Sequence, residues 1–305
     1  MERTHQNKSL LLAFLMLSSV MIGLVGLMPI ALATNETSAG VISGTEVWSG
    51  SHTLTGDVII APGAKLIIQP GTTITSPNGT MIDVRGGMCA GDVSCGANGI
   101  ASNSSRITFN WQDPADDQAT GRCYGLFNNQ HYNRDPSCGE GILLRNTIDI
   151  GNTKLNHVSI TNAYGIPSWV TDISEVRYGA LVADGASPRL TALQFSGVNT
   201  TSLLVLDLAA PPIIGGEFTV GDDESSLIGS AIQAYGAGSA LNPLTLTAPI
   251  FTGTDNGCGQ SDDGRHVLWV EKSFVAITYS VIASGDYGMR LDDSAGMVSS
   301  STITT

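Results

Sequence analysis

Three groups of neighbouring carboxylates mark this 305-residue chain: Asp222-Asp223-Glu224, Asp262-Asp263 and Asp292-Asp293. Paired carboxylates can serve as acid and base on a glycosidic bond, or hold a metal ion between them. Arg265, Lys272 and Arg290 lie close by in sequence and supply cations. Asp262, Asp263, Arg265 and Arg290 are therefore the candidate catalytic set. The segment from Asp255 to Gly264 has the composition of a calcium loop, which makes Asp255, Asp262 and Asp263 candidate ligands for Ca²⁺. Its spacing is not that of an EF-hand, which needs Gly at the sixth position and Glu at the twelfth. The plain alternative for all these acids is a set of solvated loop residues in an acidic protein.

A second candidate site is aromatic. Tyr164, Trp169 and Tyr178 fall within one short stretch. Such rings can stack on sugars, or cover an edge of the fold where a ring has one apolar and one wet side. His266 beside Arg265 has no second histidine near it. There is no Walker loop, dinucleotide fingerprint, G-x-S-x-G or H-E-x-x-H motif in the chain.

These residues sit inside a repeat. Ala180-Leu-Val-Ala-Asp184, Leu203-Leu-Val-Leu-Asp207 and Val267-Leu-Trp-Val-Glu271 are each followed by two apolar positions: Leu190 and Phe195, Ile213 and Phe218, Ile277 and Ile282. Asp149, Leu155 and Ile160 obey the same spacing, as do Asp292, Val298 and Ile303. Each acid precedes its anchor by 11 residues. Ala240 stands where the copy anchored at Phe251 would have its acid. A fixed internal period marks a solenoid, whose repeats bury their apolar side only by stacking. Alternation within each run gives strands with one face inward. The acids Asp149, Asp184, Asp207, Glu271 and Asp292 would then form a column at the strand ends. There they either cap turn N–H groups or line up as a carboxylate ladder for Ca²⁺.

The segment Gly179-Ala-Leu-Val-Ala-Asp-Gly-Ala-Ser187-Pro188-Arg-Leu-Thr-Ala-Leu-Gln-Phe195 resembles the repeat of the right-handed parallel β-helix (pectin-lyase-like) family. Residues 48–75, with Pro62-Gly63 and Pro70-Gly71 between short β-branched runs, resemble the first coil of β-helix modules in microbial surface proteins. The resemblance implies an all-β fold, a single-stranded right-handed parallel β-helix with a Cys-rich loop insertion. It does not choose among lyases, hydrolases, binding modules and adhesins. Gly221-Asp222-Asp223 is similar to one motif of the family's polysaccharide hydrolases, but its companions Gly-His-Gly and Arg-Ile-Lys are absent from the chain. Residues 161–178, 219–231 and 252–265 are extra length at one phase of the repeat. They are expected to project as one wall of loops.

The chain divides into residues 1–33 as a signal peptide, 34–47 as a linker, and 48–305 as the β-helix, with 85–141 as a disulfide-bearing insertion. Arg3, His5 and Lys8 precede an apolar run that closes with Ala31-Leu-Ala33 before Thr34. This is the pattern of a cleaved export signal, although the run is long enough to serve as an N-terminal membrane anchor. Either way the rest is exported, secreted or held at the cell surface. Membrane contact is expected only through this segment, if it stays uncleaved. Cys89, Cys95, Cys123 and Cys138 suit an oxidising compartment, and Cys89–Cys95 with Cys123–Cys138 is the most local of three pairings. Cys258 is left over. Asn35, Asn78, Asn103 and Asn199 stand in N-x-[ST] sequons. With 14 Lys and Arg against 27 Asp and Glu, the surface repels phosphate backbones and excludes nucleic acid as a partner. The expected partner is a polysaccharide or cell-surface glycan. The last run, Ser299-Ser-Ser-Thr-Ile-Thr-Thr305, reads as a strand of an uncovered coil, so its edge is expected to pair with further sequence or another chain. Two functions follow as expectations. One is a non-catalytic module for adhesion, carbohydrate binding or stalk formation. The other is a polysaccharide lyase or glycoside hydrolase acting beside the projecting loops.

Overall fold

The computed structural model describes residues 37–77, 79–111, 140–170, 175–198, 200–219, 230–252, 266–283 and 287–304. The chain winds as a right-handed parallel β-helix. Each coil contributes one short strand to each of three sheets, here called A, B and C, visited in that order. Sheets B and C have nine strands each. Sheet A has ten, because an extra strand, Ile166–Val170, pairs antiparallel with Glu175–Asp184.

Alternation sets the inside of the coil, as the repeat predicts. In sheet A, Leu181 and Ala183 align with Leu203 and Val205, and all four are buried. In sheet B, Leu155, Leu190, Ile213, Leu246, Ile277 and Val298 follow one another in register. In sheet C the anchors Ile160, Phe195, Phe218, Phe251, Ile282 and Ile303 occupy one column. That column extends back through Phe109 and Ile74 to His52, three rungs whose spacing differs from the later copies. Phe195 and Phe218 stack with centroids 5.3 Å apart, and Phe218 meets Phe251 at 5.6 Å.

The corner between sheets B and C opens with a left-handed residue in six successive coils: His157, Ala192, Gly215, Ala248, Tyr279 and Ser300, with φ between 50° and 62°, and Gly216 adds a second positive φ in the third of them. Only one of the six is glycine. An L-residue there costs roughly 1–2 kcal/mol. The compensation is visible in the ladder. Five of the six N–H groups donate to the next coil: His157 to Thr191 O, Ala192 to Ile214 O, Gly215 to Thr247 O, Ala248 to Thr278 O and Tyr279 to Ser299 O.

Two boundaries move. Gly40–Ile42 and Thr45–Trp48 are already strands of sheets A and B, so the first coil begins inside the segment read as a 34–47 linker. Residues 85–141 are not one insertion, because Gly87–Ala90 belongs to sheet B and Ile107–Trp111 to sheet C. Of the Cys-rich length, 91–106 forms the B–C corner, and 112–139 lie outside the described residues. Cys89 and Cys95 form a buried disulfide beneath the first of these loops, packed with Ile67 and Ala97. Cys123, Cys138 and Cys258 lie outside the described residues, as do residues 1–33.

Replacing Phe218 by Ala removes the middle of the aromatic stack and is expected to cost about 3–5 kcal/mol of unfolding free energy. Ala248→Gly relieves a left-handed alanine and is expected to add about 0.5–1 kcal/mol. Chemical denaturation of both variants checks the core column and the corner independently.

Candidate functional site

The outer face of sheet A gathers the charged and aromatic groups. Outward side chains occur in pairs two residues apart along each strand: Asp83 and Arg85, Leu143 and Arg145, Val182 and Asp184, Leu204 and Leu206, Gln233 and Tyr235, Trp269 and Glu271, Arg290 and Asp292. The register from coil to coil sets the members of each column side by side. With strands about 4.8 Å apart, the seven rungs from Asp83 to Arg290 span roughly 29 Å.

Three zones follow along this face. At the N-terminal end Asp83 is wholly buried. Its carboxylate accepts hydrogen bonds from Arg85 at 2.7 Å and from Arg145 Nε at 3.1 Å. A buried carboxylate without such partners would be strongly destabilising. Arg145 also reaches Asp184, at 3.8 Å. Burial, and then the charge of neighbouring Asp207, push the Asp184 carboxyl above the usual carboxylate range, against the pull of Arg145.

The middle zone is apolar. Met81, Leu143, Val182, Leu204, Leu206 and Tyr235 form a cluster with Ile166 and Val170. The last two come from the hairpin made by Ile166–Val170 and Glu175–Asp184, which folds against the sheet. Gly165 opens this hairpin at φ +104°, where a side chain would collide with Thr200 Oγ1. Glu140 pins the same entry: its carboxylate accepts N–H groups of Gly79 and Tyr164, at 2.6 and 3.1 Å.

At the C-terminal end the hairpin supplies Arg177. Its guanidinium lies 4.5 Å from the centre of the Trp269 ring and pairs with Glu175 at 2.8 Å and Glu271 at 3.8 Å. Arg290 lies 4.8 Å from the same ring. Asp292 accepts from Arg290 Nε at 2.6 Å and from the Trp269 indole at 3.2 Å. Lys272 donates to the Tyr235 hydroxyl at 2.9 Å.

Of the expected catalytic set, Arg290 falls in this third zone. Asp262, Asp263 and Arg265 lie outside the described residues, as do Asp255 and the Asp222-Asp223-Glu224 group. Among the described residues no group of three or more His, Cys, Asp or Glu is placed to hold a metal ion. The three expected aromatics share the hairpin region. Tyr164 precedes it, and Trp169 and Tyr178 are half-buried diagonal neighbours across its two strands, opposite Val176 and Pro167. Alternation puts them on the hairpin face opposite Ile166 and Val170.

The acidic column is real as a corner and not as a register. Asp184 aligns with Arg145 and Leu206, and Tyr235 takes the place beside Glu271 and Asp292. Asp207 lies one step further on, inside the A–B corner. Of the five, Asp149 does cap: it receives the N–H of Asn152 before a short 3₁₀ turn, and hydrogen bonding by Asn152 holds its carboxyl below the usual range. Asp184, Glu271 and Asp292 instead face guanidinium groups, so a continuous carboxylate ladder for Ca²⁺ is not formed. The three expected insertions do share one phase, since each leaves a sheet C strand and enters a sheet A strand. Residues 220–229 and 253–265 lie outside the described residues.

Trp269, Arg177, Asp83 and Arg145 were not singled out from the sequence. The signal was present for Trp269, because it stands between the inward residues Leu268 and Val270. No protein-family model, curated protein or solved structure matches this chain.

Two outcomes test this geometry. Because the Asp184 pKa is raised in the folded state, its contribution to stability is complete below the ordinary carboxylate pKa and is lost as pH rises through the folded value. Asp184→Asn is therefore expected to raise the unfolding midpoint at pH 7 more than at pH 4. Trp269→Ala removes the platform for Arg177, and hydrogen exchange at residues 175–178 is expected to accelerate while the sheet C core stays protected.

Proposed function

We propose that this chain is an exported β-helix module, secreted or held at the cell surface, that binds a polysaccharide or cell-surface glycan along the outer face of sheet A and the outward side of the hairpin that covers it. It would serve in adhesion or as a stalk. The finer kinship with the pectin-lyase-like β-helices is part of the same proposal. One observation carries the reading. A rigid sheet presents guanidinium groups and carboxylates in fixed register around the buried Trp269 ring, beside a hairpin that carries the half-buried Trp169 and Tyr178 on its other side. Sugars offer ring faces to aromatic planes and hydroxyls to charged hydrogen-bonding groups, and both are supplied here by a scaffold that loses little entropy on binding. The buried Cys89–Cys95 disulfide supports an oxidising, extracellular location.

A second reading, a glycoside hydrolase or lyase, draws on Asp184. A carboxyl with a raised pKa beside a second carboxyl, Asp207, has the character of a general acid. Retention on immobilised acidic and neutral polysaccharides, with chain length measured in the same tubes, separates the two. The binding reading expects retention that falls about tenfold or more in Trp169→Ala, with polymer length unchanged. Shortening of the polymer, abolished by Asp184→Asn, would replace it with the enzymatic one. The absence of both retention and shortening would remove glycan binding from this face.

A further inference from the structure

The corner between sheets A and B combines exposed acids with exposed large apolar side chains. Asp149, Asp207 and Asp293 are exposed within its connections, and Asp184, Glu271 and Asp292 stand at the strand ends that enter it. Lys272 is the sole basic residue within the connecting segments 146–153, 185–188, 207–212, 236–243, 272–273 and 293–294, while Arg145, Lys154 and Arg189 stand at the strand ends that bound the first two. Leu208, Leu241 and Phe274 belong to three consecutive coils and are 72%, 99% and 38% exposed.

Backbone geometry forces this exposure. Asp207 and Leu208 are successive left-handed residues, with φ 53° and 62°. Leu241 sits in a tight loop closed by reciprocal backbone hydrogen bonds between Ser239 and Asn242, at 2.9 and 3.1 Å. Coil-to-coil bonds run down the corner and hold its segments in one file: Ala210 N to Ser187 Oγ, Gly238 N to Ala209 O, Phe274 N to Ala237 O and Ala295 N to Ser273 O. Three coils at about 4.8 Å spacing place these apolar groups within roughly 10 Å along the axis.

We infer that this corner is a docking edge for a basic, apolar polypeptide segment lying along the helix axis. The apolar side chains supply the contact area, and the acids select the charge. A second copy is disfavoured, because it would bring the same acids of a chain with net charge −13 against each other. An anionic lipid surface is repelled for the same reason. The edge borders the glycan face proposed above, sharing Asp184, Glu271 and Asp292 with it, and does not rest on that reading.

The test is fluorescence anisotropy of the full chain with a labelled amphipathic peptide of leucine and lysine. The expected result is saturable binding that weakens with salt. The double variant Leu208→Ser/Leu241→Ser is expected to lose about tenfold or more in affinity, and Asp207→Asn/Asp293→Asn to lose affinity together with much of the salt dependence. All four side chains are at the surface, so circular dichroism of these variants should match the parent. Glu217→Gln, on the outer face of sheet C, is the charge control and should bind like the parent. Equal binding by the corner variants, equal loss in Glu217→Gln, or equal binding of a leucine–glutamate peptide would overturn the inference. So would a parent dimer in sedimentation that Leu208→Ser/Leu241→Ser dissolves, since the occupant would then be a second copy.

Discussion

Parallel pairing between successive coils is the constraint on which everything else in this protein depends. No single coil has enough apolar surface to fold alone. Each strand is only a few residues long and finds its hydrogen-bond partners in the coils before and after it. The inward columns, among them the stacked Phe195, Phe218 and Phe251, fill the centre. The backbone ladder even dictates strained conformations. Non-glycine residues sit left-handed at the B–C corner because their N–H groups are needed by the next coil.

The same constraint builds the outer face of sheet A. Once inward residues alternate along a strand, the residues between them must point out. Stacking then repeats them in register. A residue type that recurs at one phase becomes a column, and different types become a graded surface. Here that surface runs from the buried Asp83 pair, through an apolar middle covered by the hairpin, to the Trp269 cluster. The proposed binding face is thus a direct consequence of the period, with its character set by which side chains occupy the outward slots.

Much of the fold was legible because inward apolar positions are fixed by spacing. The sheet C column and the shared phase of the long connections follow from counting residues between anchors. Legibility failed where the count slipped. Asp207 lies 23 residues after Asp184, but sheet A advances by 22, because the corner after Leu206 takes one extra residue. The first coil was missed because Gly40–Ile42 and Thr45–Trp48 are too short to show alternation. Strands at 87–90 and 107–111 were hidden by the cysteine- and glycine-rich loop between them. The site was less legible still. Arg177 reaches Trp269 only because the hairpin folds back on the sheet, and no spacing within the chain encodes that contact.

The most direct test uses the four tryptophans, two in the core, one on the outward side of the hairpin and one beneath the guanidinium groups of sheet A. Trp48 and Trp111 are wholly buried inside the coil, Trp169 lies on the hairpin, and Trp269 lies on the outer face of sheet A. Indole N–H signals of ¹⁵N-labelled protein, titrated with a panel of oligosaccharides, would report on all four at once. Shifts at Trp169 and Trp269, with Trp48 and Trp111 unmoved, are the result this account predicts. Silence at all four, or equal movement at all four, would contradict it.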